Sequence, residues 1–367
     1  MVEHFTRNEV VAGSIPADSS IYFFRRFKDM GIGIIATGRK QPDFVLDNAM
    51  LSDMVETNNE WIVERTGINT RRVATSESSL DLACEAALDA MGYDEETGTY
   101  KIDKDSIDLI VFATVTPDDI VPCMSSQLKK RLGMKNAAAF DINAACSGFV
   151  YGTWIGESIM KSGMFPGSSE TNKIKRALII GSERLTRITN WEDRTTCILF
   201  GDGSGTAILE DNPAKTGIIA SCIKNYDDEH GALKCGMEYY ETPFGKEPDK
   251  KRKVTMAGQQ VFRFAVKAVT EVMDEVLERA GLTPDDIKYY VPHQANMRII
   301  QFAAQRFKQP IEKFHVCIDH MGNTSTASVP MALDELMKSG KVNSGDKIML
   351  VAFGGGLSAG AIIFEAN

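Results

Sequence analysis

Two kinds of hydrophobic spacing alternate along this chain. Short apolar runs, "DLIVFATVT", "AAAFDIN", "RALIIGSE" and "GTAILE" early and "KYYVPHQ", "EKFHVCID", "KIMLVAF" and "GAIIFEA" late, have the length and composition of strands. Between them lie stretches of helical spacing. One of these, "SGFVYGTWIGESIMKSG", is apolar around most of its circumference and predicts a buried helix. Strands and helices in alternation predict α/β layers. Regular patterning begins at Met30 with "MGIGIIATG", whereas Met1–Asp29 follows neither period and is expected to be an N-terminal extension outside the fold, with Met30 as an alternative start.

The pattern also repeats. "ESIMKSG" closes one helix at Met160–Gly163 and "DELMKSG" another at Met337–Gly340, 177 residues apart (337 − 160). At about that offset "RALIIGSE" falls near "KIMLVAF", "FGDGSGTAILE" near "FGGGLSAGAIIFE", and "LIVFATVTP" near "YYVPHQAN". Preserved order across four elements predicts an internal duplication, with one half over residues 30–214 and the other over 215–367. The same shift carries Cys146 onto Asn323. Because ligands in open α/β sheets collect at the carboxyl ends of strands, two such halves can aim their strand ends into one cleft.

Composition narrows the picture. A chain of 367 residues, 43% hydrophobic and 25% charged, is long enough for two cores and has nothing of a disordered composition. A net charge of −9 argues against nucleic-acid binding driven by a basic field. The seven cysteines, an odd number, are scattered without a C-x-x-C pair, so neither a metal knuckle nor a disulfide framework is expected, and a reducing cytoplasm is. The run "IYFFRRFKDM" is broken by Arg25, Arg26 and Lys28, which disfavours a membrane span, and its charges follow the apolar patch instead of preceding it, unlike a secretory signal.

Within this frame one thiol stands out. In "FDINAACSGF", Cys146 lies where a strand gives way to a buried helix, among the small residues Ala144, Ala145, Ser147 and Gly148. A helix start favours a thiolate through its unpaired N–H groups and dipole, and small neighbours leave room for an acyl group. Packing as a small buried hydrophobe fits the position equally, and the other six cysteines are assigned to packing. His293, in "VPHQANMRII", follows the strand-ending Pro292, with Asn296 placed to cap the next helix. His4 lies in the extension, His230 in a loop, His315 in an alternating strand as a structural residue, and His320 close enough to the site for a supporting role. Asn323, in "HMGNTSTASVP", suits a helix cap, a donor into the cleft, or both. The glycines of "FGDGSGTAILE" precede a strand, not the helix a dinucleotide loop requires, so NAD binding is rejected. Those of "AFGGGLSAG" permit close backbone approach and N–H donation beside Cys146.

Taken together, "NNEWIVERTGI", "AFDINAACSGFVYG", "DRTTCILFGDGSG", "VPHQANMRII", "HMGNTSTASVP" and "AFGGG" resemble the β-ketoacyl-acyl-carrier-protein synthase III family of the thiolase-like superfamily, over almost all of Met30–Asn367. The resemblance implies a thiolase-like fold of two duplicated α/β halves in a five-layered αβαβα sandwich, a homodimer in the cytoplasm. It implies that Cys146 takes an acyl group from acyl-CoA and condenses it with malonyl-acyl-carrier protein, with release of CO2 and CoA, to give the 3-oxoacyl-carrier protein that initiates fatty acid synthesis. His293 and Asn323 would bind the malonyl thioester carbonyl, and the backbone N–H groups of Cys146 and Gly355 would form an oxyanion hole. Trp61 and Arg194 match the pair that sandwiches the CoA adenine, and Thr57 and Arg65 match nearby CoA positions. Arg263, Arg298 and Arg306 match a basic docking face for the acidic carrier. No metal or cofactor is implied, because acyl-CoA is a substrate.

Two departures carry expectations of their own. Val121 stands where many members have a bulky aromatic that reaches into the partner subunit's acyl pocket, so primers longer or more branched than acetyl are expected to fit. "FPGSSETNKIK", Phe165–Lys175, reads as an enlarged surface loop. Three rival readings remain at this point. They are a related acyltransferase or condensing enzyme of a specialised pathway, a Cys-His-Asn thiol hydrolase, and a non-catalytic carrier-binding module.

Overall fold

The structure, a computed structural model, describes residues 31–162, 174–212, 217–228, 231–236 and 253–367. The expected extension Met1–Asp29, the boundary at 214/215, His4, His230 and residues 165–173 of the expected loop lie outside them.

Two sheets are built to one plan. The first contains β1 (Ile32–Lys40), β2 (Leu109–Ala113), β3 (Ala138–Ile142), β4 (Arg176–Arg184) and β5 (Asp202–Asp211), in the order β1-β5-β4-β2-β3. The second contains β6 (Ile218–Asn225), β7 (Tyr289–Pro292), β8 (Lys347–Gly354) and β9 (Ser358–Glu365), in the order β6-β9-β8-β7. In each, one strand runs antiparallel to both its neighbours, β5 in the first and β9 in the second. The remaining pairs, β4–β2–β3 and β8–β7, are parallel. The second sheet lacks a full counterpart of β3. "EKFHVCID", expected as a strand, contributes a single parallel bridge from Phe314 to Tyr290 before the chain turns into a short helix at Ile318–Met321.

Seven helices of the described residues matter here: α1 (Asn59–Thr66), α2 (Ser79–Met91), α3 (Met124–Leu132), α4 (Gly148–Ser162), α5 (Gly258–Ala280), α6 (Met297–Arg306) and α7 (Ser328–Lys338). Ala83, Ala87, Met124 and Leu128 of α2 and α3 share a core with Ile110, Phe112, Leu178 and Ile180 of the first sheet. Ala268, Val272, Ile300 and Ala303 of α5 and α6 share another with Met349, Val351 and Ile363 of the second. α4 and α7 lie between the sheets. Gly152 of α4 packs so closely on β4 that a Cβ there would sit 3.2 Å from Ile179 Cγ2, while Val150 presses Gly360 of β9 from the other face. The result is the five-layered αβαβα sandwich of the thiolase-like fold. Covered on both faces, β2 is wholly buried, which is why it reads as an unbroken apolar run.

No helix among the described residues is long and apolar enough to cross a membrane.

Candidate active site

The thiol sits on a strained turn. β3 ends at Ile142, Asn143 Oδ1 accepts a hydrogen bond from Ala145 N at 3.1 Å, and Ala145 takes φ 47, a left-handed value that a residue with a side chain rarely adopts. One 3-10 turn, Ala145–Ser147, then leads into α4. Ser147 Oγ ties the turn down, 2.6 Å from Ala144 O and 2.6 Å from Ser358 Oγ of β9. The end of β8 passes directly beneath. A Cβ on Gly354 would stand 2.6 Å from Cys146 N, so only glycine admits this approach.

Cys146 keeps part of its surface open to solvent, yet its packing is close enough to control its acidity. Burial pushes the thiol up to about 11, and the Glu183 carboxylate adds to this, while the Ser325 side chain and the residue's own N–H pull the other way. Burial therefore outweighs the helix start expected to favour the anion, and the resting site holds a neutral thiol.

His293 follows the last residue of β7. Its N–H donates to Val351 O at 2.7 Å, and its ring packs edge-on against Phe353 with centroids 5.2 Å apart. Burial holds the imidazole down to about 3, so it is neutral across the physiological range, and Nδ1 is buried without a hydrogen-bond partner. Gln294 anchors this corner. Its N–H donates to Ser328 Oγ, its Oε1 accepts from Cys317 N and Ile318 N, and its Nε2 donates to Pro292 O and His315 O. Asn296 caps α6 as expected, accepting from Arg298 N at 2.9 Å.

Asn323 is held across the halves. It forms an isolated bridge with Phe200, its N–H donates to Leu199 O at 2.8 Å, and its carbonyl accepts from Gly201 N at 2.9 Å. The buried side chain of Arg71, whose terminal nitrogens donate to Leu46 O, Asn48 Oδ1 and Ile198 O, lies under this segment, where a Cβ on Gly322 would meet Arg71 Cβ at 2.9 Å. Asn323 Oδ1 accepts from Ser325 N at 2.9 Å, which assigns the amide so that Nδ2 is its outward donor. Ser325 has φ 50, and a 3-10 turn at Ser325–Ala327 leads into α7. This is the Cys146 turn over again, but not in the expected register. Asn143 matches Asn323 and Ala145 matches Ser325, a spacing of 180 (323 − 143), so the counterpart of Cys146 is Thr326. The 177 spacing holds only at the far ends of the helices, because α7 has three fewer residues before the shared Met-Lys-Ser-Gly.

The two turns touch. The Ser325 side chain lies close enough to the Cys146 thiol and to the Glu183 carboxyl to hold the acidity constant of each down. Glu183, wholly buried near the end of β4, also accepts from Val115 N (3.1 Å), Thr116 N (3.1 Å), Thr116 Oγ1 (2.5 Å) and Thr114 Oγ1 (3.2 Å). Burial pushes its carboxyl up to about 7. Neither Glu183 nor Ser325 was expected from the motifs. A carboxylate closing the otherwise apolar "RALIIGS" was the available signal.

Around Trp61 two expected residues gather. The guanidinium of Arg65 lies 4.5 Å and that of Arg194 5.1 Å from the indole ring, and Arg194 also donates to Glu56 O. Thr57 Oγ1 is buried without a hydrogen-bond partner. Arg263 is exposed, whereas Arg298 is engaged by Glu64 of the helix that carries Trp61, and Arg306 by Asp274. Val121 stands on an open loop, 86% exposed beside Ile120. Gly355 directly follows Gly354 at the Cys146 turn.

Other expectations need correcting. His320 is exposed and bonded to Asp319 and Glu335, which raise it to about 9; it belongs to a surface ion network, not to the site. His315 is outside any strand, its Nε2 3.3 Å from Glu335. Cys84, Cys197, Cys222 and Cys317 are buried as expected, but Cys235 is exposed and Cys123 is partly exposed beside Ser125 and Ser126, so packing does not account for these two. Among the described residues no cluster of His, Cys, Asp or Glu is arranged to hold a metal ion.

Comparison with known proteins bears on the whole arrangement. The family model "3-Oxoacyl-[acyl-carrier-protein (ACP)] synthase III" matches residues 140–226, and its C-terminal companion matches residues 277–366. The β-ketoacyl-[acyl-carrier-protein] synthase III of Clostridium beijerinckii is 42% identical over 335 residues, 91% of this chain and 99% of the relative. The crystal structure of 3-oxoacyl-[acyl-carrier-protein] synthase III from Aquifex aeolicus superimposes with a TM-score of 0.81 at 38% identity, covering 92% of this chain and 100% of that one. The priming β-ketosynthase of the R1128 polyketide pathway gives a TM-score of 0.81 at 32% identity, covering 92% and 97%.

Proposed function

The chain belongs to the 3-oxoacyl-[acyl-carrier-protein] synthase III family, and from that premise we propose how its own residues carry out the condensation that initiates fatty acid synthesis. It is a condensing acyltransferase. Cys146 attacks the thioester of an acyl-CoA, CoA leaves, and the acyl group stays on sulfur, which divides one difficult carbon–carbon bond formation into two easier steps. Malonyl-carrier protein then enters with its thioester carbonyl held by the His293 imidazole and the Asn323 amide. Loss of CO2 leaves an enolate whose oxyanion these donors stabilise, and its carbon attacks the Cys146 thioester. The N–H groups of Cys146 and Gly355 hold the tetrahedral oxyanion, and its collapse releases 3-oxoacyl-carrier protein and the thiolate. No resident cofactor is needed, because decarboxylation itself supplies the carbanion.

The observation that carries this reading is the neutral imidazole. A histidine held at about 3 is a poor base but a good neutral N–H donor, as enolate stabilisation requires and as a thiol hydrolase, whose histidine must take the thiol proton, does not. Trp61 and Arg194 hold the CoA adenine, Arg65 and Thr57 bind CoA nearby, and Arg263, Arg298 and Arg306 form the carrier face. The enzyme works as a cytoplasmic homodimer, in which the exposed Ile120–Val121 loop meets the second subunit's acyl pocket. A non-catalytic carrier-binding role is set aside, since Cys146, His293 and Asn323 are all present. Supplied with labelled acyl-CoA and malonyl-carrier protein, the purified protein is expected to release CO2 and label the carrier; hydrolysis of acyl-CoA to free acid alone would reject the proposal.

A second reading, the priming step of a specialised pathway, is favoured by the likeness to the R1128 ketosynthase and by Val121. A panel of straight and branched acyl-CoAs decides between them. Strong preference for acetyl-CoA supports primary synthesis from an acetyl primer, and preference for long or unusual primers supports the second reading.

A further inference from the structure

The condensation needs its two neutral donors at a fixed separation, yet His293 and Asn323 arrive on different segments, one at the end of β7 and the other behind the short helix Ile318–Met321. We propose that the buried amide of Gln294 sets that separation, which makes Gln294 a positioning residue for decarboxylation and condensation and not for acylation of Cys146. The proposal rests on the reading of His293 and Asn323 as donors to the malonyl thioester.

The reason begins with Pro292. Phe314 makes a parallel bridge to Tyr290, and His315 N donates to Tyr290 O at 2.8 Å. Continued in that register, a parallel ladder would next have residue 292 donate its N–H to His315 O and accept the N–H of Cys317 at its own carbonyl. Proline has no N–H, so the first of these bonds cannot form. The Gln294 amide takes the place of both. Its Nε2 donates to His315 O at 3.0 Å and to Pro292 O at 2.8 Å, and its Oε1 accepts from Cys317 N and Ile318 N, each at 3.0 Å. An amide thus stands between β7 and the following segment, where a direct backbone bond would have drawn the two together.

This spacer has no freedom to turn. Two of its four partners are carbonyls that only accept and two are N–H groups that only donate, so the amide has one possible orientation, with both N–H groups and both Oε1 lone pairs in use. Gln294 is 1% exposed, and its backbone N–H donates to Ser328 Oγ at 2.7 Å, at the first residue of α7.

Each end of the spacer leads to a donor. Gln294 directly follows His293, whose own N–H is held by Val351 O of β8. Cys317 and Ile318 open the short helix, whose closing bonds, Met321 N to Cys317 O and Gly322 N to Ile318 O, deliver Asn323. The Cys146 turn is secured elsewhere, by Ser358 Oγ of β9 and by its packing on Gly354. Loosening Gln294 therefore moves the donors relative to each other and leaves the nucleophile in place.

The test compares two reactions in Gln294→Met, which keeps the length of the side chain and none of its hydrogen bonds, and in Gln294→Glu, which keeps an acceptor for Cys317 N and Ile318 N but sets an oxygen against the two carbonyls. In both variants kcat for unprimed decarboxylation of malonyl-carrier protein should fall about 10- to 100-fold, the scale of an ångström-sized misplacement, with KM within about threefold. Single-turnover acylation of Cys146 by acyl-CoA, read by peptide mass, should stay within about threefold. Added to His293→Ala, Gln294→Met should cost less than about threefold more in decarboxylation, because residues that act as a unit do not add. An equal fall of decarboxylation and acylation would mark general damage to the fold and overturn the proposal. So would unchanged decarboxylation, or a further loss of about tenfold or more on top of His293→Ala. Should Gln294→Met not fold, Gln294→Glu decides alone. His293→Ala that decarboxylates as fast as wild type defeats the reading of the donors, a result distinct from a large His293→Ala effect with no effect of Gln294.

Discussion

The turns Asn143–Ser147 and Asn323–Ala327 have one backbone and two chemistries. Each begins with an asparagine whose Oδ1 receives the N–H two residues on, places its next but one residue at φ near 50, and opens a helix of the middle layer. They differ in what is covered. Asn143 is exposed and holds only its own turn, whereas Asn323 is 7% exposed and bonded across to Leu199 and Gly201. Where the first turn has Ala145 and Cys146, the second has Ser325 and Thr326, the latter with its hydroxyl buried and unpartnered against Gly148. Duplication supplied the geometry twice. Burial and side-chain replacement then set the two apart, and in the proposed mechanism one turn holds the acyl group and the other supplies the donors.

Several changes should separate the two turns. Cys146→Ser should lower acyl transfer from acyl-CoA by roughly 10⁴-fold or more, read as labelled enzyme per unit time, while Thr326→Ser, at the matching position, leaves it within about tenfold. Asn323→Ala should lower decarboxylation of malonyl-carrier protein by about 10² to 10³, the usual loss of one oxyanion donor. Asn143→Ala removes one exposed turn bond of about 1 kcal/mol and should cost less than about tenfold in the same assay. Equal losses from the two asparagines would break the comparison.

Smaller effects sort the halves by substrate. Trp61→Ala should raise KM for acyl-CoA about 3- to 30-fold through loss of the ring face, with KM for malonyl-carrier protein little changed. Arg298→Glu should weaken carrier binding by several-fold at low ionic strength and hardly at all at high salt, measured by titration across a salt series. The smallest expected change concerns pH. With His293 depressed from 6.5 to about 3, the folded imidazole stays neutral, so unprimed decarboxylation should stay within about twofold between pH 8 and pH 5. Because this folded value lies below the unfolded one, the stabilising contribution of neutral His293 is present above about pH 6.5 and is lost as pH falls toward 3.

Much of this was legible before any coordinates. Apolar run length was enough for the layers, and Pro292, Asn296 and the small residues around Cys146 located the strand end, the cap and the nucleophile turn. The repeat was visible but its register was not, because the shared Met-Lys-Ser-Gly lies beyond a length difference between α4 and α7. "EKFHVCID" has strand composition, yet its end is drawn away by the Gln294 amide, whose Oε1 takes the N–H groups of Cys317 and Ile318. The Glu183–Ser325 contact could not be read from spacing at all. It joins residues far apart in sequence, and the carboxylate's donors are divided between the backbone N–H groups of Val115 and Thr116 and the hydroxyls of Thr114 and Thr116.

The most direct test of the central claim is mass analysis of the peptide bearing Cys146, after acyl-CoA is added and again after malonyl-carrier protein is added. The account predicts one acyl group on Cys146 in the first sample, and its disappearance in the second as 3-oxoacyl-carrier protein and CO2 form in equal amounts. An unmodified Cys146 in the first sample, or loss of the acyl group as free acid in the second, would contradict it.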